Sequence, residues 1–115
     1  MVKGNISIVC SAVSVVLLRW LQRLAQILLL RRTRPPAGIW CQVAGGIEAN
    51  ETAWQAALRE VTEETGVRLA ELWSGDFCEQ FYEANKDRIM MLPGFIGVVP
   101  PDAAVPYTHP TLPTK

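Results

Sequence analysis

The segment that most constrains the fold is "ANETAWQAALREVTEETGV", residues 49–67, because both ends of a single helix can be read from it. Thr52 is placed as N-cap with Gln55 three residues on, a capping-box pairing. Gly66 is placed to take the left-handed conformation that closes a helix. The spacing predicts a helix over 53–65. At 100° per residue Trp54, Ala57, Leu58 and Val61 share one face, predicted to pack, while Glu60, Glu63 and Glu64 share another. A capped helix of this length must dock its apolar face on something, and the rest of the chain offers strands.

The apolar runs at 6–18 and 26–32 read as buried strands, "IWCQVA" at 39–44 as a third, and 71–85 and 88–99 as two more joined around Asn85 to Asp87. "RWLQRLA" is a turn or a helical stub, and "TRPPAG" is a surface loop because Pro35 and Pro36 fix φ and remove two donors. Lys3 and the run after it imitate a secretion signal. The run is shorter than the roughly 18 residues of a membrane span and lacks a small-residue cleavage site, so it reads as a strand. The proline-rich segment 106–115 is assigned no element; it reads as an unstructured tail of non-native character, and His109 within it carries no functional weight.

With 115 residues the chain is one domain, 1–105 excluding the tail. Eleven basic and eleven acidic residues cancel, which argues against nucleic acid or an anionic membrane as partner. The cysteines at 10, 41 and 78 are odd in number and lack metal spacing, so they read as reduced, mostly buried thiols of a cytoplasmic protein. Trp40 and Trp54, among apolar neighbours, read as core packing, and Tyr82 as structural.

The glutamates do not serve an isolated helix. At i,i+3 and i,i+4 they repel by a few tenths of a kcal/mol each, and Glu63 and Glu64 lie at the end where the helix dipole disfavours negative charge. A divalent cation reverses both penalties, since carboxylates on adjacent turns can share a hard ion. Magnesium fits best, because it keeps waters and shares its sphere with phosphates. Arg59, four residues before Glu63, can hold that carboxylate in position.

Gly45, Glu51, Arg59, Glu60, Val61, Glu63, Glu64, Gly66 and Val67 together occupy every fixed position of the Nudix box, and the chain resembles the Nudix hydrolase family, more weakly through residues 26–100. The resemblance implies an α/β fold, an α/β/α sandwich with a mixed β-sheet, here lacking its final strand and C-terminal helix. It implies a Mg²⁺-dependent pyrophosphohydrolase, with Mn²⁺ as alternative metal, that cleaves a phosphoanhydride in a nucleoside triphosphate or a related nucleoside diphosphate linked to another group. Arg59, Glu60, Glu63 and Glu64 carry over as catalytic residues. Glu60, Glu63, Glu64 and the Ala44 carbonyl carry over as metal ligands, and Gly45, Glu51 and Gly66 as loop residues. Arg32 and Arg34 are weak candidates for substrate phosphate. The partner expected is a nucleotide or another diphosphate-containing small molecule, and a homodimer is compatible with the family. The absent C-terminal elements set a competing expectation: an impaired fragment of low stability, or a nucleotide-binding domain without turnover.

Overall fold

The computed structural model describes residues 4–31, 37–104 and 108–111. The first apolar run forms two strands, β1 (Ser7–Val9) and β2 (Ala12–Leu21), separated at Cys10 and Ser11. β3 (Leu24–Arg31) follows after two residues, Gln22 and Arg23, both at positive φ (48° and 71°). Two consecutive left-handed residues make the tight hairpin turn whose twist matches antiparallel strands. Of the two readings of "RWLQRLA" the turn holds, at Gln22 and Arg23, and the residues on either side of it are strand rather than helix. β4 (Trp40–Cys41) and β5 (Val43–Gly46) lead into the helix α1 (Ala53–Thr65). Then come β6 (Glu71–Glu83), a 3-10 turn (Ala84–Lys86) and β7 (Arg88–Val99).

The sheet is mixed. β7 runs parallel to both β1 and β2, whereas β2 is antiparallel to β3 and to β5, and β6 is antiparallel to β7. Parallel pairing of β2 with β7 requires a crossover, and the chain between them contains α1. The helix covers the face on which Val13, Val15 and Val43 alternate inward, and Ala56, Ala57 and Val61 complete a core with Leu17, Leu28 and Val99. Ser14, Gln42 and Ala44 alternate to the other face. Leu28 is fully enclosed in this core. Replacing it with Ala is expected to cost about 2–5 kcal/mol, measured by denaturant unfolding.

Several expectations are corrected. α1 has the predicted ends: Thr52 Oγ1 accepts from the Gln55 amide, Gln55 caps back, and Gly66 sits at φ 72°. Its packing face is different, because Trp54 is 52% and Leu58 38% exposed. The buried residues are Ala56, Ala57, Val61 and Thr65, so the helix is rolled by roughly 30° towards Glu60 relative to the apolar stripe. Two alanines let the helix axis approach the sheet closely, and bulky Trp54 and Leu58 lie to the side of that contact. Trp40 is also exposed rather than core, at the start of a two-residue strand. Cys10 and Cys78 are exposed and Cys41 half-buried, all three free thiols. Cys10 lies in the break between β1 and β2, and Cys78 on β6, a strand exposed along most of its length. The tail was expected to lack structure, yet Thr108–Thr111 forms β8, antiparallel to β3. It pairs with Ile27 to Leu30 along the edge of β3, where an extended segment supplies backbone partners, and the donor-free Pro110 is tolerated on an edge strand. Among the described residues α1 is the one α-helix, so one face of the sheet is covered by helix.

Candidate active site

The site is built where β5 runs into α1. β5 ends in two glycines, and a Cβ at Gly45 would land on the carboxylate of Glu60. Glycine is therefore required at 45 to let the carboxylate lie against the strand, a need that residue spacing alone does not reveal. The roll of α1 explains the approach: Glu60 faces the sheet, with only 13% of its side chain exposed, while Glu63 is 56% exposed.

Arg59 organises the surrounding acids. Its Nε and Nη2 donate to the two oxygens of Glu51, both at 2.9 Å, in the paired geometry that matches a guanidinium to a carboxylate. Nη2 also donates to the Gly46 carbonyl at 2.7 Å, which ties the helix to the end of β5. Nη1 donates to Glu60 at 2.9 Å and to Glu63 at 3.2 Å, and lies 3.6 Å from Glu48. Glu51 in turn accepts the backbone N–H of Glu48 at 2.9 Å, closing the loop before the helix. A single cation thus holds several carboxylates that would otherwise repel.

The Arg59 hydrogen bonds, and then the Glu48 amide, pull the Glu51 carboxyl down from 4.5 to about 2. The same pairing with Glu51 raises the guanidinium above its ordinary value. A carboxylate whose pKa is lower in the folded state stabilises the fold above its unfolded value, and that contribution disappears as pH falls through the folded value. Stability is therefore expected to drop between about pH 4.5 and pH 2, and Glu51→Gln to remove that component, as read from chemical denaturation at stepped pH.

Of the remaining expected residues, Ala44 pairs with Ser14 in the sheet, one residue before Gly45. Glu64 is exposed on the last turn of α1. Gly66 closes the helix, its N–H donating to Thr62 O at 2.8 Å. Arg32 and Arg34 lie outside the described residues. Tyr82 donates to Asp87 Oδ1 at 2.6 Å and so fastens the β6–β7 turn, a contact that also raises the phenol's pKa. Among the described residues no three His, Cys, Asp or Glu side chains are gathered as a ready-made metal site, because Arg59 draws Glu60 and Glu63 to itself. The donor set is nonetheless all oxygen, the chemistry a hard divalent cation takes.

A polar cluster that residue spacing did not bring out lies on the sheet face away from α1. Ser14 Oγ donates to Glu79 Oε1 at 2.9 Å, and Gln42 Nε2 donates to both Ser14 Oγ and Glu79 Oε1. The signal that could have found it is Ser14 itself, a lone hydroxyl in "AVSVVLL".

Residues 10–108 match the family model of the NUDIX domain. The chain belongs to that family. It is 41% identical over 83 residues to an octanoyltransferase of Myxococcus xanthus, spanning 70% of this chain and 23% of that protein. It is 34% identical over 79 residues to the asymmetrical bis(5'-nucleosyl)-tetraphosphatase of Caenorhabditis elegans, spanning 67% of this chain and 56% of the relative. The crystal structure of C. elegans Ap4A hydrolase superposes with a TM-score of 0.66 at 21% identity, covering 94% of this chain and 81% of that one. At that identity the superposition establishes a shared fold. The chain spans less than two thirds of either of these sequence relatives. The residues that resemble the Nudix box run across the β5–α1 junction, with Gly45 and Glu60 against each other there. No helix among the described residues is long and apolar enough to cross a membrane.

Proposed function

We propose that this Nudix domain is a Mg²⁺-dependent pyrophosphohydrolase that cleaves a phosphoanhydride in nucleoside triphosphates or related nucleoside diphosphate compounds. The observation that carries the reading is the Glu60 carboxylate seated on Gly45 and braced by the Arg59 network, because a half-buried acid held against a strand end has no stabilising purpose of its own. Glu60, Glu63, Glu64 and the Ala44 carbonyl would hold the metal, with Mn²⁺ as the alternative ion. When bound, the metal neutralises phosphate charge and acidifies a coordinated water. Arg59 keeps Glu60 and Glu63 oriented, and Glu51 keeps Arg59 in place. One of these carboxylates takes the proton of the attacking water. The three free thiols fit a reducing, cytoplasmic setting.

A second reading, nucleotide binding without turnover, is favoured by the absence of a gathered metal site among the described residues. Release of phosphate or pyrophosphate from a panel of nucleoside triphosphates, dinucleoside polyphosphates and nucleoside diphosphate conjugates separates the two. Turnover is expected with Mg²⁺ and none with excess chelator. Folded protein that binds nucleotides but cleaves none of them with Mg²⁺ or Mn²⁺ would establish the second reading.

A further inference from the structure

The cluster of Ser14, Gln42 and Glu79 joins β2, the single residue between β4 and β5, and β6. Ser14 is fully buried and Glu79 half-buried. Both neighbouring donors converge on Glu79 Oε1, while Oε2 receives no hydrogen bond and no cation pairs with the carboxylate among the described residues. An apolar side chain of similar volume would hold these segments together at least as well, since withdrawing a carboxylate from water without a cation is unfavourable. The arrangement therefore positions one acceptor oxygen for something outside the protein.

Its surroundings indicate what that is. Ser14 is paired in register with Ala44, which precedes the Gly45 on which Glu60 rests. Among the described residues β5 pairs with β2 alone, and a ligand held at the Nudix box would reach the face away from α1 by way of the other edge of β5. On that face the ring of Phe77 lies over Gly94, the register partner of Ser14 on β7. Phe77 and Glu79 are two apart on β6, so their side chains emerge on one face about 7 Å from each other. The register shift between Ser74 and Phe77 sets this facing. A flat aromatic surface beside a lone acceptor suits a nucleobase. A carboxylate repels phosphate and base carbonyls and accepts from an amino group.

We propose, on the basis of the hydrolase reading above, that Glu79 is a specificity-determining residue that selects nucleotides whose base carries an exocyclic amino group over their oxo counterparts. Ser14 and Gln42 are positioning residues that aim Glu79.

The test compares kcat/KM for adenosine against inosine triphosphate and for cytidine against uridine triphosphate, in the full chain with Mg²⁺. The amino form is expected to be favoured by about tenfold to a hundredfold, the scale of a hydrogen bond to a charged acceptor. Glu79→Gln is expected to bring the ratio to one or below, because a carboxamide can donate to the oxo group. Ser14→Ala, which keeps the carboxylate and loosens its aim, is expected to reduce the ratio without inverting it. A fall in both rates at a constant ratio is the signature of a merely structural residue and would overturn the proposal. Calorimetric binding of adenosine and inosine monophosphates without metal separates recognition from turnover. A preference for the amino form that Glu79→Gln abolishes supports the proposal even if nothing is hydrolysed. Equal affinities, or no binding of either, overturn it whatever the hydrolysis assay gives.

Discussion

Glu60→Gln is expected to lower turnover by about 10²- to 10⁴-fold, the range associated with removing a positioned acid or base from the reacting centre. The substitution keeps the shape that fits against Gly45 and removes the charge that meets Arg59 at 2.9 Å. The fold should survive, because the core residues of α1 are Ala56, Ala57 and Val61 and none of them is touched. Steady-state kinetics beside a thermal melt read both effects. A variant that melts normally and retains more than about a tenth of the wild-type rate would remove Glu60 from the catalytic machinery.

Gly45→Ala is expected to lower turnover by about 10²-fold although no charge changes, because the added Cβ occupies the place of the Glu60 carboxylate. The carboxylate must then move off the strand end, and an ångström of displacement at a reacting centre is enough for a loss of that size. What the methyl meets is the far end of the Glu60 side chain, so the accompanying cost in stability is expected to be at the low end of overpacking, about 1 kcal/mol. Pairing the change with Glu60→Asp, whose shorter side chain leaves room for the methyl, should recover part of the stability. In a double-mutant cycle the two changes should therefore be coupled rather than additive. Additive losses would mean that Gly45 acts through the loop backbone and not through Glu60.

These two residues also mark how far the linear pattern reaches. Gly45 and Glu60 both belong to a recognisable spacing, so their membership of a site was legible at once. That they touch was not, because contact depends on how far α1 is rolled. The apolar stripe of Trp54, Leu58 and Val61 pointed to one roll, whereas close packing through Ala56 and Ala57 chose another. Stripe arguments weigh residues by hydrophobicity, while docking weighs them also by how near they let two backbones come. The same limit explains Trp40 and Trp54, which are apolar enough for a core and too bulky for this one. Cys10 and Cys78 were misplaced for a related reason: a small apolar residue is buried only if another element comes to cover it, and none of the local signals says whether one does.

Local chemistry is what the linear order settles by itself. The capping box at Thr52 and Gln55 and the left-handed Gly66 involve neighbours within a turn, so the bounds of α1 follow from the chain alone. So does the Nudix spacing, with its implied oxygen-donor chemistry. Tertiary structure alone decides what meets across long separations. It rolls Glu60 onto Gly45 and joins Arg59 to Glu51 and Gly46. It also carries Glu79 from a strand 65 residues downstream onto the hydroxyl of Ser14. Those meetings are set by register and by the helix's depth on the sheet. Both are balances of packing and loop closure over the whole domain, which no short stretch of residues contains.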